Sequence, residues 1–110
     1  MKKLELIIQS NKLDKVTSIL EKADITEYYM TDIMKNTKHS GMVKKYRGAE
    51  YPVTKIAQIK VEVVVADDVA KSLILEIKKE LTLDNMKTMS SEQEKNGKLY
   101  IYDVYESIDL

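Results

Sequence analysis

The sequence predicts an α+β sandwich of the ferredoxin-like (βαββαβ) type, with a long loop between its second and third strands. Three observations predict it. Four segments alternate apolar and polar residues at strand period, and two others carry apolar stripes at helix period. Their order is strand, helix, strand, long loop, strand, helix, strand. Two split β-α-β halves of this kind form one antiparallel sheet with both helices on one face. The opposite face is then left for a partner subunit or a ligand.

Residues 3–9 place Leu4, Leu6 and Ile8 on one face and Lys3, Glu5, Ile7 and Gln9 on the other, with Ile7 as the apolar exception. Asn11 followed by Asp14 makes a variant capping box. Leu13, Val16, Leu20 and Ala23 then form a helical stripe, with Ile19 at its edge. Residues 25–34, rich in Tyr, Thr, Met and Ile, read as the second strand. From 36 to 55 the pattern vanishes, and patternless stretches of about 20 residues within a domain are functional or disordered loops. Ile59, Val61, Val63 and Val65 alternate with Lys60, Glu62 and Val64 in a third strand, where Val64 is again an apolar exception. Asp67 or Asp68 caps a second helix, whose stripe is Ala70, Leu73, Ile74, Ile77 and Leu81. Residues 82–97 read as a polar loop ending in the turn signal Asn96-Gly97. Residues 99–104 form the last strand, with Tyr100 and Tyr102 on one face and Leu99 and Ile101 on the other. The whole, 1–110, is one domain.

Eighteen basic residues balance eighteen acidic ones, so the chain is neither a polycation made for nucleic acid nor an acidic tail. The zero conceals polarity. Between Lys35 and Lys55, six cations (Lys35, Lys38, Lys44, Lys45, Arg47 and Lys55) face Glu50 alone, a net of plus five, which leaves minus five on the remainder. With 44% apolar and 33% charged residues the profile is that of a soluble globular domain. No apolar run approaches the roughly 20 residues of a membrane span, and the charged start at Lys2, Lys3 and Glu5 gives no export signal. Cysteine is absent, which excludes disulfides and thiol chemistry and suits a reducing cytoplasm. Seven tyrosines carry all the aromatic surface, so several hydroxyls are expected at polar edges. A domain this small is expected to gain burial from subunit contacts.

Catalysis finds little support. His39 is the only histidine and has no acid at an informative spacing. Asp67-Asp68 is explained by helix capping, and adjacent side chains at a helix start diverge too far for a carboxylate pair. There is no P-loop or dinucleotide fingerprint. Binding fares better. Asn96-Gly97-Lys98 combines exposed backbone N–H groups with a lysine, a small phosphate cradle or simply a hairpin turn. The basic loop suits phosphates or an acidic protein surface, or is only solvated. Ile7 and Val64 on polar faces mark subunit or ligand contacts, and Tyr28-Tyr29 marks sheet packing.

At Tyr46-Arg47-Gly48-Ala49-Glu50-Tyr51 the chain resembles the loop signature of the PII nitrogen-regulatory signalling proteins. Ile7-Ile8, Lys12-Leu13-Asp14 and Val16 resemble the opening of that superfamily, and residues 60–68 resemble its third strand and helix start. The likeness runs from Met1 to about Ile77 and resumes over 97–104. It implies a non-catalytic homotrimer that binds adenine nucleotides, ATP or ADP, in clefts between subunits. It also implies a projecting loop over 36–55 that contacts a target, often a membrane transporter or its ATPase subunit. Carried over by position, Ile7, Glu62 and Val64 surround adenosine, Gly97 and Lys98 end the phosphate loop, and Lys38 reaches the terminal phosphate. Lys44, Lys45, Tyr46, Arg47 and Tyr51 fall in the contact loop, and Tyr51 matches a tyrosine that some members have nucleotidylated.

The departures are informative. The family's glycine-rich loop base is Lys35-Asn36-Thr37, its magnesium- and 2-oxoglutarate-holding glutamine is His39, and its 2-oxoglutarate-pairing lysine is Gln58. Two phosphate-clamping arginines are gone, with Asp109 at the first position. The expectation is a divergent PII-like sensor of energy charge in which ADP or AMP rivals ATP, 2-oxoglutarate is not sensed, and magnesium is left open. The alternatives are a cyclic-nucleotide or cyclic-dinucleotide receptor of the same fold, or a structural or metal-binding trimer.

Overall fold

Leu4, Leu6 and Ile8 are fully buried, and the strand that carries them is the axis of the molecule. The structure, a computed structural model, describes residues 1–38, 45, 46, 49, 50, 53–88 and 97–110. Strand β1 (Lys2–Ile8) pairs antiparallel with β5 (Val53–Val65) on one side and β6 (Gly97–Asp103) on the other. Strand β2 (Tyr29–Lys38) closes the far edge, giving the order β2-β5-β1-β6. Helices α1 (Leu13–Lys22) and α2 (Asp67–Thr88) lie together on one face, with Val16, Ile19, Leu20, Leu73 and Ile77 packed into the same core as the β1 leucines, Val61 and Val63. This is the expected ferredoxin-like βαββαβ arrangement. Two further short strands, β3 (Lys45–Tyr46) and β4 (Ala49–Glu50), pair with each other.

Several boundaries differ from the sequence reading. The second strand starts at Tyr29, because residues 23–25 belong to the end of α1. Asp24 adopts the left-handed conformation at φ 59°, its N–H bonds Glu21 O at 3.0 Å, and the Ile25 N–H bonds Leu20 O at 3.0 Å. These two bonds form a Schellman cap without a glycine, and Ile25 packs on the core beside it. The capping box is not formed. Ser10–Lys12 make a 3-10 turn, Lys12 occupies the N-cap position, and no side chain caps the helix. Asp67 and Asp68 stand inside the first turn of α2, where their charge complements the helix dipole. Asp67 instead holds the Met1 amino group at 2.9 Å, and the first helical bond runs from Ala70 N–H to Ala66 O at 2.9 Å.

The stretch read as a loop over 36–55 is ordered ladder at both ends: Asn36 pairs with Lys55, Thr37 with Thr54 and Lys38 with Val53. Likewise α2 continues through residues 82–88, and Gly97 already belongs to β6. Both extensions were invisible for one reason. Strands and helices are read from hydrophobic periodicity, and neither stretch carries an apolar alternation or stripe in the sequence.

Candidate functional site

Alternation that buries Leu4, Leu6 and Ile8 turns Lys3, Glu5 and Ile7 to the uncovered face of the sheet. Cross-strand register adds their neighbours. Lys3 lies opposite Val64 and Tyr102, Glu5 opposite Glu62 and Tyr100, and Ile7 opposite Lys60 and Lys98. Two glutamates thus face each other directly, which is unfavourable on its own. Lys3 resolves it: its Nζ sits 2.7 Å from Glu62 Oε2 and 3.8 Å from Glu5 Oε1, and 5.4 Å from the Tyr102 ring centroid. The hydrogen bond to Lys3 holds the Glu62 carboxyl below the usual glutamate range, and the same bond raises the Lys3 ammonium. At the sheet's other margin Lys2 pairs with Asp103, which raises the Lys2 ammonium.

Further along the same face, all four strands contribute to a cavity of about 360 Å³. Ile7 and Gln9 come from β1 and its end, Ile56 and Gln58 from β5, Ile33 and Lys35 from β2, and Gly97, Lys98 and Tyr100 from β6. Among the described residues its lining combines aliphatic side chains with two lysines and two glutamines and has no carboxylate. Gly97 is required by geometry. Its φ is +148°, and a Cβ there would lie 2.4 Å from the Ile7 carbonyl oxygen and 2.9 Å from Ile8 Cγ2.

Of the residues singled out from sequence, Ile7, Gly97 and Lys98 meet in this cavity. Glu62 and Val64 share its face but lie toward the other end of the sheet, opposite Glu5 and Lys3. Lys38 ends β2 and pairs through its backbone with Val53. Lys45 and Tyr46 form β3, opposite Glu50 and Ala49, whereas Lys44, Arg47 and Tyr51 lie outside the described residues. The sequence reading did not gather Ile33, Ile56 and Tyr100 into a site. Ile33 carried a usable signal, since it is a third apolar residue on the outward face, but Asp32 on the inward side obscured the alternation. Among the described residues no three His, Cys, Asp or Glu side chains are grouped to hold a metal, and no helix is long and apolar enough to cross a membrane.

Two helices on one face of a four-stranded sheet and a partly apolar cavity on the other define a ferredoxin-like α+β protein with an open site on its uncovered face. The comparisons sharpen the class. The family model for nitrogen regulatory protein P-II matches residues 1–110. The chain is 32% identical over 104 residues to the nitrogen regulatory protein P-II of Klebsiella oxytoca and to nitrogen regulatory protein P-II 1 of Escherichia coli K12, in each case 94% of this chain and 86% of the relative. It is 35% identical, with the same coverage, to the P-II protein of Pasteurella multocida. The solved structure of Bacillus subtilis GlnK superposes with a TM-score of 0.69 over 97% of this chain and 87% of that one, at 18% identity. The chain belongs to the P-II family of signal-transduction proteins. P-II proteins are non-catalytic regulators, trimers that act on target proteins and typically bind ATP or ADP.

Proposed function

We propose that this protein is a homotrimeric sensor of adenine nucleotides that reports ADP or ATP, and AMP as a rival ligand, to a partner protein. The observation that carries this is the cavity on the uncovered sheet face, where Ile7, Gly97 and Lys98 meet within a P-II chain. Ile7, Ile33 and Ile56 offer apolar surface to a purine, and Lys98 offers charge to phosphates. Glu62 and Val64 stand two and four residues along β5 from Lys60, the partner of Ile7, so about 7 and 13 Å further down the sheet. They would act on a nucleotide from a neighbouring copy, across a cleft between subunits.

The basic segment over 36–55, with Lys44, Lys45, Tyr46, Arg47 and Tyr51, is the contact surface for the partner, a membrane transporter or its ATPase subunit. Nucleotides that contact the cavity differently bias the ribbon that leads to this segment. Gln58 in the cavity and His39 stand where the family pattern has the lysine and glutamine that hold 2-oxoglutarate, so the proposed sensor does not respond to that acid.

Calorimetry with ATP, ADP, AMP and cyclic nucleotides, with and without magnesium, tests the reading. Binding of at least one adenine nucleotide in the micromolar range is expected, unaffected by 2-oxoglutarate. Absence of binding to all of them would overturn it, and tighter binding of a cyclic dinucleotide would transfer the site to that ligand class.

A further inference from the structure

We propose that Lys35 is a specificity-determining residue of this cavity, contacting the phosphates of a nucleoside diphosphate or triphosphate from the sheet edge opposite Lys98. The inference rests on the nucleotide reading above and adds to it a residue which that reading does not require. Lys35 stands on edge strand β2, where it pairs with Ile56 of β5. Lys98 stands on the other edge strand, β6, and pairs with Ile7 of β1. Three strand spacings across the sheet, about 14 Å, and four residues along β5 from Ile56 to Lys60, about 13 Å, separate the two backbones, roughly 19 Å in all, yet both side chains line the same cavity.

Two cations therefore flank one trough, with the Gln58 amide between them and no carboxylate among the described lining residues. Neither lysine makes an ion pair with another described residue, although carboxylates elsewhere on this sheet face are engaged by Lys3. Two ammonium groups that converge on one cavity without an ion-pair partner among the described residues repel each other and favour an anion between them. A single negative charge satisfies one of them, whereas a diphosphate, longer and more highly charged, can engage both. The aliphatic surface of Ile33 and Ile56 beside Lys35 suits a ligand that joins an apolar ring to that anion. Lys35 thus sets how steeply affinity rises with phosphate number, while the ring contacts set affinity for the nucleoside.

The test is calorimetry of ADP and adenosine with the wild-type trimer, Lys35→Met, Lys35→Arg and, as a charge control on the helix side, Lys78→Met. Lys35→Met is expected to weaken ADP roughly tenfold or more, the scale of a lost charge-assisted hydrogen bond, and to leave adenosine unchanged. Lys35→Arg should retain ADP affinity, and Lys78→Met should match the wild type. An unchanged ratio of ADP to adenosine affinity in Lys35→Met overturns the inference alone. Parallel loss of both ligands, or equal weakening by Lys78→Met, overturns it too, by showing a structural or general charge effect. Failure of the wild type to bind either ligand is a different result: it removes the nucleotide reading itself, and this inference with it.

Discussion

Along β1 and β5, residues facing the helices, such as Leu4 at 0% and Val63 at 3% exposure, alternate with neighbours that face away, such as Val64 at 48%; on edge strand β2, Tyr29 is 77% exposed. The two faces share one backbone but answer to different constraints. The helix-covered face is apolar and closed, so its residues are chosen for volume. The other face mixes ion pairs, tyrosines, stray aliphatic residues and a cavity, so its residues are chosen for what they meet. A substitution on the first face should change stability, and one on the second should change association and binding.

The largest expected effect lies on the closed face. Leu6→Ala empties a fully buried position and should cost about 2–5 kcal/mol of stability in a urea titration. A loss as small as that of an exposed residue would dissolve the contrast between the faces. Gly97→Ala, at the boundary of core and cavity, should cost about 1–3 kcal/mol, because its Cβ meets the Ile7 carbonyl at a φ that disfavours any side chain. Nucleotide affinity should fall with it, and retention of both would show that β6 can shift without consequence.

On the open face, Val64→Asp should leave the fold intact by circular dichroism while moving the sedimenting species from trimer to monomer. An unaltered trimer would place the subunit contacts elsewhere. The smallest effect concerns Lys3→Met, which removes the cation between Glu5 and Glu62. In the wild type the lowered Glu62 contributes stability that is present above the ordinary glutamate range and is lost as pH falls through its lowered value. The variant should therefore be less stable than the wild type near neutral pH and converge on it in acid. A difference independent of pH would assign Lys3 a packing role.

The legibility of the sequence follows the same division. Leu4, Leu6 and Ile8, and the stripe from Leu73 to Ile77, announced β1 and α2 because burial imposes a period. The β2–β5 ribbon beyond the body, the end of α2 and the glycine-free cap at Asp24 have no such period, since hydrogen bonds rather than burial define them. Of the cavity, Ile7 stood out as an apolar residue on a polar face and Gly97 and Lys98 as a turn with a lysine beside it, and the resemblance drew all three toward a nucleotide. Ile56 could not be found, because it lies between the patternless stretch that ends at Lys55 and the alternation that starts at Ile59, and its neighbours are set by cross-strand register.

That register also joins the cavity mechanically to the ribbon. Ile33 and Lys35 on β2 and Ile56 and Gln58 on β5 line the cavity, and the same two strands run on to the Lys38–Val53 pair. From Gln58 to Val53 is five residues, a shaft of about 17 Å, with both strands fastened to each other by the ladder. A tilt of about 10° at its root would carry its far end about 3 Å, taking that shaft length. With the proposed binding site as fulcrum, such a tilt would make the ribbon a lever, and a ligand would need to move the cavity floor by only a fraction of that distance to be read at the Lys38–Val53 end.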